Sequence, residues 1–203
     1  MTDTEASLRA AVARAGRPSS DYDLNPEIRL PDGRTLRDAS VLIAVVDHEA
    51  SPGLILTKRS SRLKHHPGQI AFPGGKVEDV DTDASAAALR EAHEEIGLPS
   101  SSVRVLGTLP PHETVTGFMV TPVVSLILPG FEPVPEAGEV AEVFEVPLAH
   151  VLDPANYRIQ YRRWRGERRY YFTVPWGPYY IWGATARMLR ALADRMSDDA
   201  DRG

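Results

Sequence analysis

The stretch from Phe72 to Leu98 constrains this chain more than any other: a double glycine, Gly74-Gly75, leads through an acidic loop into a helix that ends in clustered glutamates. Asp83 is suited to cap that helix, Ala84, Ala86, Ala87 and Ala88 are strong helix formers, and Gly97 followed by Pro99 stops it. Leu89, Ala92 and Ile96 recur at helical spacing and are expected to face the core. At about 3.6 residues per turn, Glu91, Glu94 and Glu95 fall within roughly a 100° arc of the other side. Three carboxylates then share one patch at the negative end of the helix dipole. Like charges four residues apart cost roughly 0.2–0.5 kcal/mol, and each acid in the last turn adds ~0.3–1 kcal/mol. A solvated glutamate face accounts for the helix taken alone. Arg90 offsets part of the charge, but a hard divalent cation, which takes oxygen ligands, offsets far more.

Composition narrows the rest. At 203 residues, 42% hydrophobic and 25% charged, the chain suits a single soluble domain with a well-buried core. The absence of cysteine excludes disulfides, thiolate ligands and a cysteine nucleophile, and it fits a reducing cytoplasm, the expected location. The N-terminus has no basic start followed by an apolar run, and no segment approaches about 18 uninterrupted apolar residues, so neither export nor a membrane span is expected. A net charge of −5 argues against a general nucleic-acid binder. An anionic small molecule must therefore meet a local basic patch or a metal. Nothing in the pattern specifies an oligomer.

Residues 1–38 read as a peripheral segment, with Leu8 and Val12 on a short amphipathic helix and a turn at Pro31-Asp32-Gly33. The main domain is expected over 39–196 and a frayed acidic tail over 197–203. From Ala39 an almost wholly apolar run suggests a central strand, joined by a turn to a second strand through Leu54 and Lys58. Arg59, Arg62, Lys64, His65 and His66 then make the densest basic loop before the glutamate helix. Its position favours anion binding, with Arg59 and Lys64 the foremost phosphate contacts and the histidines serving there or as loop hydrogen-bonders.

After the helix, strands are expected over 103–109 and 119–128, the second carrying Pro122, which suggests an edge or a bulge. Residues 139–146 alternate acids with apolar residues: Glu142 and Glu145 read as solvent-facing, while Glu139 is the one placed to lean into a site. A short helix follows over 147–153. A hairpin over 157–174, turning at Arg165-Gly166-Glu167, carries six arginines among its aromatics. Such a pattern binds nucleotides by stacking and charge, or it sends aromatics to the core and arginines to water, and the two readings weigh evenly. Ile181, Thr185, Met188, Leu192 and Met196 line one face of a closing helix.

Gly75, Asp81, Arg90, Glu91, Glu94, Glu95, Gly97 and Leu98 stand at the fixed places of the Nudix box, which this stretch resembles. Asp81 replaces the usual Glu, Ala92 takes an aliphatic place, and the spacer before Arg90 is one residue longer than the general pattern. That longer spacer is similar to the coenzyme A pyrophosphatase branch, whose upstream motif is also resembled by this chain's ILTKRSSRLKHHPGQIAFPGG, with Leu56, Thr57, Arg59, Ser60, Gly68, Phe72, Pro73, Gly74 and Gly75 in place, Lys64 where the motif has Arg and Ile55 where it has Leu or Phe.

The resemblance implies an α/β/α sandwich around a mixed β-sheet, and a hydrolase that cleaves the pyrophosphate of coenzyme A or its acyl derivatives to 3′,5′-ADP and 4′-phosphopantetheine. It implies Mg2+ or Mn2+ held by Glu91, Glu94, Glu95 and the backbone carbonyl of Gly74, with Arg90 orienting a glutamate. Asp81 orients likewise or merely begins the helix. The general base stays open among Glu94, Glu95 and Glu139. Arg59, Lys64, His66 and Gly75 are the candidate substrate contacts. Two other readings stand beside this one: hydrolysis of ADP-ribose or another dinucleotide, and a catalytically silent nucleotide-binding module.

Overall fold

The almost wholly apolar run from Ala39 becomes the spine of the molecule. In the computed structural model, which describes residues 2–200 apart from Arg29, Pro31, Asp32, Glu49 and Arg165 and gives only the backbone of Trp164 and 198–200, this run lies in β2 (Arg37–Val46). Leu42, Ile43, Ala44 and Val45 are fully buried, as a strand covered on both faces requires. β2 pairs parallel with β8 (Phe118–Ile127) on one side and antiparallel with β3 (Gly53–Arg59) and β5 (Gly74–Lys76) on the other. β4 (Ile70–Ala71) and β9 (Val140–Pro147) add to β3, while β6 (Val103–Thr108) and β7 (His112–Glu113) add to β8. With β1 (Ser19–Ser20) parallel to β7, the sheet is mixed and nine-stranded.

Helices cover both faces. α2 (Ala84–Ile96) packs Ala88, Ala92 and Ile96 onto Leu42, Ala44, Ile55 and Val123. On the opposite face α1 (Asp3–Ala13), α3 (Leu148–Leu152) and α4 (Gly183–Ala200) bury Leu8, Val151, Leu189 and Leu192 against Ile43, Leu54 and Val124. The expected α/β/α sandwich with a mixed β-sheet is what forms.

Three expectations are corrected. The N-terminal segment is not peripheral: Leu8 and Ala11 are fully buried, and β1 joins the sheet. His112 ties it down, fully buried, with Nδ1 at 2.9 Å from Ser19 Oγ and Nε2 at 3.1 Å from Asp21 Oδ1. Leu8→Ala is accordingly expected to cost about 2–5 kcal/mol by the usual cavity penalty, read from urea unfolding midpoints; a loss below ~1 kcal/mol would return the segment to the periphery. Second, Pro122 sits in the central strand β8, opposite Val41. Its carbonyl accepts from Leu109 N–H at 2.9 Å, so its nitrogen faces the gap between β6 and β7, where no ladder bond is lost. Third, α4 runs to Ala200, with Ser197 Oγ donating to Ala193 O at 2.9 Å, so residues 197–200 of the expected tail are helical. Residues 201–203 lie outside the described residues, as do parts of the turns at Pro31-Asp32-Gly33 and Arg165-Gly166-Glu167.

The hairpin forms as β10 (Arg158–Trp164) against β11 (Glu167–Thr173), a separate two-stranded sheet.

Candidate functional site

Local signals set α2 where the sequence places it. Asp83 Oδ1 accepts from Ala86 N–H at 2.8 Å, and Gly97 closes the helix at φ 69, a left-handed conformation that suits glycine. The three glutamates share one arc but three environments. Glu94 has a side chain 57% exposed, Glu91 is half-buried, and Glu95 is buried at 4% exposure. Glu95 is drawn inward because the N–H of Gly74 donates to its Oε2 at 3.0 Å.

The two glycines do different work. Gly74 has φ 153, and a Cβ there would stand 2.4 Å from Ser40 O, so only glycine lets β5 lie this close to β2. A Cβ on Gly75 would stand 2.4 Å from Cδ of Glu91. Gly75 thus makes room for a carboxylate.

Arg90 gathers the acids. Its Nε donates to Asp81 Oδ1 and its Nη2 to Asp81 Oδ2, both at 3.0 Å; Nη1 donates to Glu91 at 3.1 Å and to Glu94 at 3.3 Å, and Nη2 also to Lys76 O at 3.0 Å. Asp81 also accepts from Glu78 N–H at 2.8 Å, and these bonds, Arg90 foremost, hold its carboxyl below the usual range. Asp81 therefore braces Arg90 and does not start the helix.

The electrostatics run the other way at the glutamates. Burial raises Glu91, Arg90 pulls it back, and Glu94 and Glu139 push it up again. Burial likewise raises Glu95 to about 7, against the Gly74 N–H and the charge of Arg59, with Glu91 and Glu139 adding to the rise. Glu139 reaches this cluster because the loop before β9 caps α2: Val134 N–H donates to Ile96 O at 2.9 Å and Glu136 N–H to Glu95 O at 2.8 Å. Glu139 O then accepts from Ser60 N–H at 2.8 Å, joining the loop to the end of β3.

Mutually repelling oxygen donors, Glu95 buried and Glu91 half-buried among them, are the chemistry that a hard divalent cation relieves, and the residues fit such an ion on that ground. As placed, no three acidic or histidine side chains among the described residues stand in coordinating geometry: Arg90 occupies oxygens of Glu91 and Glu94, and the Gly74 N–H occupies Oε2 of Glu95.

Of the basic loop, Arg59 reaches the site: its charge acts on both Glu95 and His66, and its Nε is buried without a hydrogen-bond partner. His66, at φ 54, is held below the ordinary histidine range by burial and then by Arg59, His65 and Arg162. Lys64 is exposed in the loop and, among the described residues, is not brought to the carboxylates by a hydrogen bond or ion pair. Glu142 and Glu145, expected to face solvent alone, have partners: Tyr179 Oη donates to Glu142, and His48 Nε2 lies 2.7 Å from Glu145. Arg162, whose charge reaches His66, went unassigned in the sequence because alternation marks two faces of a hairpin without saying which one meets a site. No described helix is long and apolar enough to cross a membrane.

Comparison with known proteins agrees with this layout. A NUDIX domain matches residues 36–165, more than half of the chain. A Citrobacter koseri protein named uncharacterized Nudix hydrolase NudL is 46% identical over 172 residues, covering 84% of this chain and 88% of its own length. Its namesake in Escherichia coli K12 is 46% identical over 157 residues, 77% of this chain and 81% of that one. Among solved structures, the Nudix hydrolase RenU of M. smegmatis gives a TM-score of 0.49 at 24% identity, over 60% of this chain and 83% of that one. The NUDIX domain of Shewanella oneidensis NrtR, complexed with ADP ribose, gives 0.46 at 19% identity, over 65% and 84%. The domain match and the curated relatives extend well beyond the box that first suggested them, and the chain belongs to the Nudix hydrolases, a family that cleaves pyrophosphate bonds and generally uses divalent metal ions.

Proposed function

We propose that the chain hydrolyses the pyrophosphate bond of coenzyme A or its acyl derivatives, giving 3′,5′-ADP and 4′-phosphopantetheine. The observation that carries this reading is the junction of the two motifs: Arg59, from the stretch resembling the coenzyme A branch, acts electrostatically on Glu95 of the Nudix helix and has a buried Nε with no partner. A guanidinium left so is ready to take a phosphate oxygen.

Glu91, Glu94, Glu95 and the carbonyl of Gly74 would hold Mg2+ or Mn2+. Bound there, such an ion lowers the pKa of water and neutralises charge building on the phosphates. Arg59 binds a phosphate of the anhydride, with His66 and Lys64 on the same loop. Arg90, tied to Asp81, fixes Glu91 and Glu94 and touches no substrate. The proton of the attacking water passes to a carboxylate of the cluster, with Glu94, Glu95 and Glu139 the candidate bases.

Turnover of coenzyme A, its dephospho form, ADP-ribose and NADH, with Mg2+ or Mn2+ and product analysis, tests the reading. Coenzyme A is expected to lead in kcat/KM and to yield 3′,5′-ADP. Arg59→Ala is expected to lower kcat/KM for it about 10- to 100-fold, the ~1.5–3 kcal/mol of a hydrogen bond to a charged group. A preference for ADP-ribose would overturn the substrate. Binding of coenzyme A with metal present and no 3′,5′-ADP formed would instead make the chain a silent nucleotide-binding module.

A further inference from the structure

Pairing register sorts the hairpin into two chemically different faces. Gln160 stands opposite Tyr171 and Arg162 opposite Arg169, so these side chains share one face. Tyr161 pairs with Tyr170 and Arg163 with Arg168 on the other. Trp182 bridges to Thr173 and so extends the first face, with Tyr180 two residues before it.

That face is a continuous aromatic and cationic surface. The rings of Tyr171 and Trp182 lie 5.1 Å apart, those of Tyr180 and Trp182 6.5 Å, and the guanidinium of Arg162 sits 4.9 Å over the Trp182 ring. Tyr180 Oη donates to Gln160 Oε1 at 2.9 Å and lies 3.3 Å from Tyr171 Oη, which locks the tyrosines in place. Tyr180 is nevertheless 41% exposed.

The surface is also contiguous with the basic loop. Thr185 Oγ1, three residues past Trp182, donates to Ile70 O of β4 at 3.1 Å, and β4 directly follows that loop. The charge of Arg162 acts on His66 together with Arg59 and His65. Like charges converge here, and neither Arg59 nor Arg162 forms an ion pair among the described residues. An anion is what such a convergence lacks.

We propose that this face of the β10–β11 hairpin, with Tyr180 and Trp182, docks the 3′-phosphorylated adenosine half of the substrate, the base stacking on the aromatics and the 3′-phosphate lying between Arg162 and His66. The proposal rests on the coenzyme A reading and deepens it. Two guanidinium charges and one aromatic cluster suit a single nucleotide carrying a phosphate away from the scissile bond. The link through Arg59 to Glu95 leaves the anhydride facing the carboxylates. A net charge of −5 disfavours a longer nucleic-acid strand as the occupant.

Calorimetry of the full chain with 3′,5′-ADP and 5′-AMP tests it. The wild type is expected to bind 3′,5′-ADP about 10-fold or more tighter than 5′-AMP, from the charge-assisted bonds of the extra phosphate. Arg162→Ala is expected to erase that difference, and Tyr180→Ala to weaken both nucleotides alike by about 10-fold, as loss of a stacking partner does. Arg168→Ala, on the opposite face, is expected to change neither. Unaltered 3′,5′-ADP binding in both Arg162→Ala and Tyr180→Ala, while the wild type cleaves coenzyme A, overturns the docking surface and leaves the substrate reading intact. Equal affinity of the wild type for the two nucleotides, together with preferential cleavage of ADP-ribose, overturns both.

Discussion

Glu95→Gln is expected to lower turnover at least ~100-fold, as other losses of charge stabilisation at a reacting centre do, and at the same time to stabilise the metal-free protein at pH 8. The two effects have one cause. Glu95 is 4% exposed, and burial lifts its carboxyl from 4.5 to about 7. Its folded-state pKa is therefore above the unfolded one. The stability this group contributes is full below pH 4.5 and is lost as pH rises through 7, because the folded protein then carries a buried charge that the unfolded chain exposes to water. At ~1.4 kcal/mol per unit the penalty reaches about 3 kcal/mol above pH 7.

A glutamine keeps the oxygen that accepts from Gly74 and carries no charge. The variant should gain up to that amount at pH 8 and nothing near pH 4, in urea unfolding with a chelator present. Added Mg2+ or Mn2+ should raise the melting temperature of the wild type more than that of the variant, since only the ionised carboxylate binds a hard cation well. In the wild type the metal-induced rise should grow with pH up to about 7 and then level. Near-normal turnover in both Glu95→Gln and Glu91→Gln would remove the metal assignment.

The parts of this site that were legible in the sequence are those decided by near neighbours. Asp83 and Gly97 bound α2 through contacts within a turn, and Ala92 and Ile96 mark its buried face by spacing alone. What could not be read depends on a partner far along the chain. The inward turn of Glu95 is made by Gly74, 21 residues earlier, and the burial of Leu8 by a helix near the other end. The position of Pro122 in a central strand is allowed by a break between β6 and β7, and β7 is too short, at two residues, to show a period. The hairpin is the limiting case: alternation told its two faces apart, and only the packing of Trp182 and the basic loop distinguishes them.

Arg90→Ala is expected to lower turnover ~10- to 100-fold without removing any group that touches substrate, the usual cost of losing a residue that orients ligands. All of its N–H donors are engaged, on Asp81, Glu91, Glu94 and Lys76 O. No other side chain can replace that fork. Arg90→Lys keeps the charge but offers three donors from one point, so it cannot span Asp81 and Glu91 together, and it should behave nearly as badly as alanine. Asp81→Ala should act through the same arginine and cost less, because Arg90 keeps its other partners. The double variant should then be no worse than Arg90→Ala alone, since two residues working through one contact do not add. On the proposed role, in which Arg90 acts through the glutamates it bonds, the loss should fall on kcat and on the metal concentration needed for half-maximal rate, with KM little changed. Additive losses in the double variant, or a loss confined to KM, would put Arg90 in contact with substrate and dissolve its role as the brace of the carboxylates.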